Sequence, residues 1–421
     1  MVPFIRYLTH SLDMVAGLRR VLPPDGKRRV FPQHLVLFAF LVGAVAGVHR
    51  LAHIEWLRGD AVLLKFLRLP RWPVRKVFAV ALASVSDRGV QALRELIARV
   101  GLTPLRGRTE AVIDMDSSAI VTFGNQEGAL FGYNGKGRNR RRHHPLVASV
   151  AESRAVIHAD YRDGSAIDAA EAIRFVERSL AVLRGYLAPK AKVTLRADSG
   201  FWSRKIGSWL LDQGIPFVFS LPLHAGVKLM LRGARWRGLD GDPDIQVVAL
   251  PGARFGMDPR LRVLGIRRRV FDPKAPPQGK PIPGCPGWRY QALVTNMEGE
   301  PEDLWRFYNG RADCERVFKV ARGALGMGRL IAHKLRANET AFLLRVLAFN
   351  ADLRFQAYAE ARARAEERAP LHIGLIARQR RFFTAAGRLL RHHGRWVLRI
   401  RPNTVVMDMW RFYAPELIAP A

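Results

Sequence analysis

The chain has 421 residues, with 68 Lys plus Arg against 36 Asp plus Glu, a formal net charge of +32 and a pI near 11.3. Its 49% hydrophobic content is enough to bury substantial cores, which excludes a disordered chain and leaves room for about two or three domains. Its two cysteines, Cys285 and Cys314, exclude a disulfide framework and a cysteine–histidine zinc site, and fit a reducing cytoplasm. So large a positive excess attracts polyanions, and nucleic acid is the partner it indicates.

Residues 1 to 105 read as a helical domain, with breaks at Pro23-Pro24, Pro70 and Pro73. Basic clusters at Arg19-Arg20, Lys27-Arg28-Arg29 and 71–76 assign DNA binding to it. No helix-turn-helix signature stands out, and a structural or dimerising role is the alternative. The longest apolar run, 35–48, is too short to span a bilayer and reads as a buried helix. Nothing at the N-terminus resembles a cleavable signal.

From 106 the pattern becomes mixed α/β. Strands are expected at 110–116, 145–151, 155–161, 192–198 and 215–222, with helices near 167–187 and 203–213. That order is compatible with a ribonuclease-H-like sheet over 106–222. Residues 223–300 carry β-like runs at 245–250, 260–271 and 289–296 around a Pro/Gly-rich stretch, 272–287, and read as a β-rich insertion. Helical patterning at 301–321 and 337–365 returns the chain to the core over 301–365. In the basic C-terminal segment, 366–421, the stretch 376–401 holds eight arginines and no acidic residue, interleaved with Phe382, Phe383 and Trp396. A solvated basic helix is the plain reading of it, and phosphate contact its simplest use. The fold class is therefore α/β: a ribonuclease-H-like core with a β-rich insertion, plus a helical N-terminal domain.

Three carboxylates stand out. Two short apolar runs end in aspartate, Ala111-Val112-Ile113-Asp114-Met115-Asp116 and Val193-Thr194-Leu195-Arg196-Ala197-Asp198. Downstream, the spacing of Tyr308, Arg311, Glu315, Lys319 and Arg322 places all five side chains roughly on one face of an α-helix. Two aspartates at adjacent strand ends and a glutamate on a helix are the parts of a two-metal phosphoryl-transfer site. Such a site takes Mg²⁺ or Mn²⁺, hard cations that prefer oxygen ligands. Asp114 and Asp116 point to the same face of their strand. Asp116, followed by Ser117-Ser118, is preferred as ligand, with Asp114 left open. Each residue also has an ordinary explanation. Strand-end aspartates cap turns, and Glu315 could pair with Arg311 and Lys319, worth only about 0.3–0.5 kcal/mol each. Glu315 is nevertheless expected to turn towards metal, leaving Arg311 and Arg322 to grip DNA phosphates.

Taken together, these motifs resemble a known family. Tyr308-x2-Arg311-x3-Glu315-x6-Arg322 is similar to the Tyr-Arg-Glu-Lys signature of bacterial insertion-sequence DDE transposases, with arginine at 322 where lysine is usual. Gly124-x-Gln126-Glu127-Gly128-Ala129, Gly132-Tyr133-Asn134 and His144-Pro145-Leu146 resemble one branch of that superfamily. Arg196-Ala197-Asp198-Ser199-Gly200-Phe201 and Tyr308-Asn309-x-Arg311-Ala312-Asp313-x-Glu315 resemble its second and third catalytic blocks. The resemblance spans about 110 to 350. It implies cut-and-paste transposition, with Asp116, Asp198 and Glu315 holding two Mg²⁺ or Mn²⁺ ions and Tyr308, Arg311, Lys319 and Arg322 contacting DNA. It also implies double-stranded DNA partners (transposon ends and target), a homodimer on that DNA, and a cytoplasmic, nucleoid-associated protein. Trp288 or Trp236 would hold a flipped base by stacking, the alternative being a core role for each. Two other functions remain: a nuclease of the same fold without strand transfer, and an inactive, transposase-derived repressor.

Overall fold

The computed structural model describes residues 1–22, 30–131, 140–239, 241–270, 279–369, 371, 373–385, 387–400 and 404–414. Pro23-Pro24, Lys27-Arg28-Arg29, Gly132-Tyr133-Asn134 and the first part of 272–287 lie outside them.

The strands, in chain order, are β1 (Glu110–Ser117), β2 (Ile120–Val121), β3 (Leu130–Phe131), β4 (Arg141–His143), β5 (Leu146–Val150), β6 (Val156–Asp160), β7 (Lys192–Ala197), β8 (Phe217–Ser220), β9 (Arg237–Leu239), β10 (Asp242–Pro251), β11 (Arg262–Arg269), β12 (Trp288–Thr295), β13 (Gly387–His392) and β14 (Arg395–Ile400). Nine of them form one sheet in the order β6-β5-β1-β7-β8-β12-β11-β10-β9. Here β1 runs antiparallel to β5 and parallel to β7, and β7 is parallel to β8. Strands and helices expected between 110 and 222 form within a few residues of their expected bounds. Asp168 and Ser203 start the two helices, Ala169–Arg184 and Arg204–Asp212, by accepting from the backbone N–H groups of Glu171 and Ile206.

The inserted residues extend this sheet. Their strand β12 pairs with β8, with Leu293 opposite Ser220 and Thr295 opposite Val218, so β8 is no longer an edge.

A second core joins the two ends of the chain. The N-terminal helices, among them Gln33–Val45 over the apolar run, share one hydrophobic cluster with helix Leu335–Ala365 and with the C-terminal Phe382, Phe383 and Tyr413. Asn350 pins helix Leu335–Ala365 to strand β6 and to helix Asp87–Leu102. Its Oδ1 accepts from Val156 N at 2.9 Å, and its Nδ2 donates to Val156 O at 2.6 Å and Ile97 O at 3.1 Å. The edge strand β6 thereby has helices against it rather than solvent.

The final basic stretch departs from the expected helix. Residues 387–400 form the hairpin β13–β14, because Leu398 and Ile400 alternate onto the core and His393-Gly394 supplies two positive-φ turn residues.

Candidate active site

Alternation along β1 sends Ala111, Ile113 and Met115 into the helix-covered core, and puts Asp114 and Asp116 on the opposite face. In β7, Val193, Leu195 and Ala197 do the same, which leaves Arg196 and Asp198 beside the first pair. The parallel register sets Asp114 against Arg196 and Met115 against Ala197. One step further, Asp116 and Asp198 emerge together at the carboxyl ends of adjacent strands, where α/β sheets place their ligands.

Asp114 is already engaged. It is 3% exposed and takes two hydrogen bonds, of 2.6 and 2.8 Å, from Arg196, itself 4% exposed. Arg196 also donates to Phe307 O at 2.5 Å, tying the next helix to the sheet. Sequence reading missed this role, although the register of two acidic-ended strands could have signalled it.

Glu315 does not share one unbroken helix with Tyr308. Helix Pro301–Asn309 ends at Gly310, and a second helix, Arg311–Ala324, begins there. The Arg196 guanidinium crowds the junction: a Cβ on Gly310 would stand 2.7 Å from its Nη1. Tyr308 is buried on the first helix, and its burial raises the phenol above its usual range.

Arg311 departs from the clamp expectation. Its buried guanidinium donates to Asp116 at 3.1 Å and to Met115 O at 3.3 Å, and forms an ion pair with Glu315. Two neighbouring carboxylates attract a cation between them. Arg322 is half-buried and donates to Ser118 and, at 2.7 Å, to Ala119 O, bracing the turn after β1. Lys319 is exposed on the same helix. Asp198 keeps an ordinary turn role as well, accepting from Gly200 N at 3.0 Å.

Burial pushes the Asp116 carboxyl up to about 6, with Asp198 and Glu315 adding to the rise against the pull of Arg311. Folded Asp116 therefore binds a proton between its ordinary 3.8 and about 6 that the unfolded chain has released. Its contribution to stability falls as pH rises through that window and levels off above it. Asp116→Asn lacks this slope. In denaturant melts from about pH 4 to about pH 7, the variant should gain on the wild type up to about pH 6 and hold steady above. A difference that stays constant with pH would contradict the reading.

Among the described residues, no three acidic, histidine or cysteine groups stand close enough to hold a metal ion in their present positions. Arg311 explains this, since it bridges Asp116 and Glu315. The donor set still fits a hard divalent cation: all its atoms are carboxylate oxygens, and their mutual repulsion calls for positive charge.

Trp236 and Trp288 stand apart, in the inserted region, on either side of Arg267. The guanidinium lies 4.7 and 4.4 Å from the two ring centroids. A third tryptophan, missed from sequence, borders a groove that reaches Ser199, next to Asp198, and Ala312, one helical turn before Glu315. Trp305, three residues before Tyr308, lines this groove of about 600 Å³ together with Ser199, Tyr290, Arg289, Lys280 and Ala312.

A solved synaptic complex of piggyBac transposase with hairpin DNA is similar in fold, with a TM-score of 0.52 and 10% identity over 91% of this chain and 80% of that one. A Drosophila P element transposase strand transfer complex gives a TM-score of 0.24 and 12% identity over 57% of this chain and 46% of that one, too low to bear on the fold. No curated protein matches the sequence. The family model described as a transposase DDE domain matches residues 107–351, more than half the chain. The chain belongs to the DDE transposase family and is a DNA transposase, an enzyme that cleaves DNA and transfers strands.

Proposed function

We propose that this transposase moves a bacterial insertion sequence of the Tyr-Arg-Glu-Lys group by two-metal-ion chemistry on a ribonuclease-H-like core. The observation that carries this reading is the emergence of Asp116 and Asp198 side by side at the ends of β1 and β7, with Arg311 linking Asp116 to Glu315. The strand order β6-β5-β1-β7-β8 supports the ribonuclease-H-like description.

Asp116, Asp198 and Glu315 would hold the two Mg²⁺ or Mn²⁺ ions. When bound, such ions supply Lewis acidity to the attacking and departing oxygens of an in-line displacement. The chain's own residues do the rest. Arg196 fixes the strand ends against the helix that precedes Glu315. Arg322 steadies the turn that follows Asp116. Arg311 gives up its two carboxylates and turns to a DNA phosphate, beside the exposed Lys319. The groove next to Trp305 receives the strand end. Base capture by Trp288 or Trp236 requires Arg267 to leave their faces. A net charge of +32 supports transposon ends and target DNA as partners, in a complex with two copies of the chain. Among the described residues no helix is long and apolar enough to cross a membrane, and we place the enzyme in the cytoplasm with the nucleoid.

The purified protein should nick and join its ends in Mg²⁺ or Mn²⁺ and do neither in excess EDTA, with Ca²⁺ supporting binding only. Gel analysis separates the possibilities. Robust cleavage in EDTA would end the metal assignment, and nicking without joined products would make the protein a nuclease.

A further inference from the structure

The hairpin β13–β14 has two unlike faces. Leu398 and Ile400 turn inward onto the helical core, and Lys65 sits 4.9 Å from the centroid of Trp396. Alternation then directs Arg388, Leu390, Val397 and Arg399 away from the protein. Arg388 and Arg399 are both exposed and lie directly opposite each other in the strand register. Like charges in that position destabilise a strand pair, so folding gives no reason for them. The sequence has no Asp or Glu from 368 to 407 to neutralise them locally.

Positive charge also gathers on the hairpin's other side, beside Trp396. Trp396 is 54% exposed and borders a groove of about 390 Å³ that Arg6, His10, Lys65 and Arg68 also line. All four of those residues are exposed. Exposed guanidinium groups flanking an exposed indole match a phosphate backbone better than any apolar or basic partner.

We propose that the hairpin and this groove form a second DNA-binding surface, on different elements from the carboxylates, that holds duplex DNA by its phosphates. This rests on the protein being a DNA transposase. Phosphate contacts carry no sequence information, so its contribution is independent of sequence. It suits target or flanking DNA rather than recognition of the element's ends.

The test is fluorescence anisotropy of the full-length protein on a random-sequence duplex across a salt series. Arg388→Gln/Arg399→Gln should bind about tenfold more weakly at physiological salt, and log K should fall with log salt less steeply by about two units. Arg388→Lys/Arg399→Lys should keep the wild-type slope. A second pair on the helical side, Arg6→Gln/Arg68→Gln, should repeat the loss without touching the hairpin, which guards against a simple folding defect. If the wild type binds and both glutamine pairs bind equally well with unchanged slopes, the proposal is overturned. A hairpin-dependent preference for anionic vesicles over duplex DNA would also overturn it. A wild type that binds no duplex at all would instead overturn the reading on which the proposal rests.

Discussion

Alanine at Asp116, Asp198 or Glu315 is expected to lower nicking and strand transfer by at least about a thousandfold, equivalent to several kcal/mol of transition-state stabilisation. DNA affinity should hold or rise slightly, because each change removes negative charge from a surface that binds phosphate. Stability is not expected to fall. Asp116 is held above its ordinary carboxylate range, so its charged form is an electrostatic burden on the folded state. Single-turnover cleavage, duplex binding and thermal melts on the same preparations separate these outcomes. An active Asp116→Ala protein beside an inactive Asp114→Ala protein that still folds would move the first ligand two residues back along β1.

A different loss is expected beneath the site. Asp114→Ala and Arg196→Ala should each reduce stability by about 3–5 kcal/mol, because each leaves a partner charge buried and unpaired. Replacing both, as Asp114→Leu with Arg196→Met, should recover much of that stability, since apolar groups of similar size substitute well for a buried pair. It should not recover activity, because the bond from Arg196 to Phe307 O that seats the helix before Glu315 is gone. Denaturant midpoints and cleavage rates measured together check this. A double variant as active as the wild type would show that the tether has no bearing on the chemistry.

The core strands were legible in the sequence because a half-buried sheet writes its faces into alternate residues. Ala111, Ile113 and Met115 lie on one side and Asp114 and Asp116 on the other. Asp116 and Asp198 were legible for the same reason, as charged residues at the ends of apolar runs, and Glu315 stood out instead by its helical spacing. What stayed hidden depends on pairing across distance. Nothing local in Leu293 or Ser220 says that they meet, so the insertion could be recognised as β-rich but not as part of the same sheet. The tie from Arg196 to Asp114 and Phe307 spans three elements, and helical spacing alone cannot show that Arg311 turns to Asp116. The hairpin was misread because arginine density masked a short alternation and a His-Gly turn.

Helix Leu335–Ala365 has a consequence for how the enzyme is made. It supplies the seat for helices that leave the ribosome first, including the apolar stretch Gln33–Val45. At about 5–20 residues per second, translation of the intervening chain takes roughly 15–60 seconds, and for that time an apolar surface waits for its cover. Chaperones attend such a surface. Proteases remove it when the cover never arrives. A chain that stops before the helix is therefore expected to leave this surface uncovered and to be degraded rather than to persist on DNA, which a pulse-chase of the truncated chain checks.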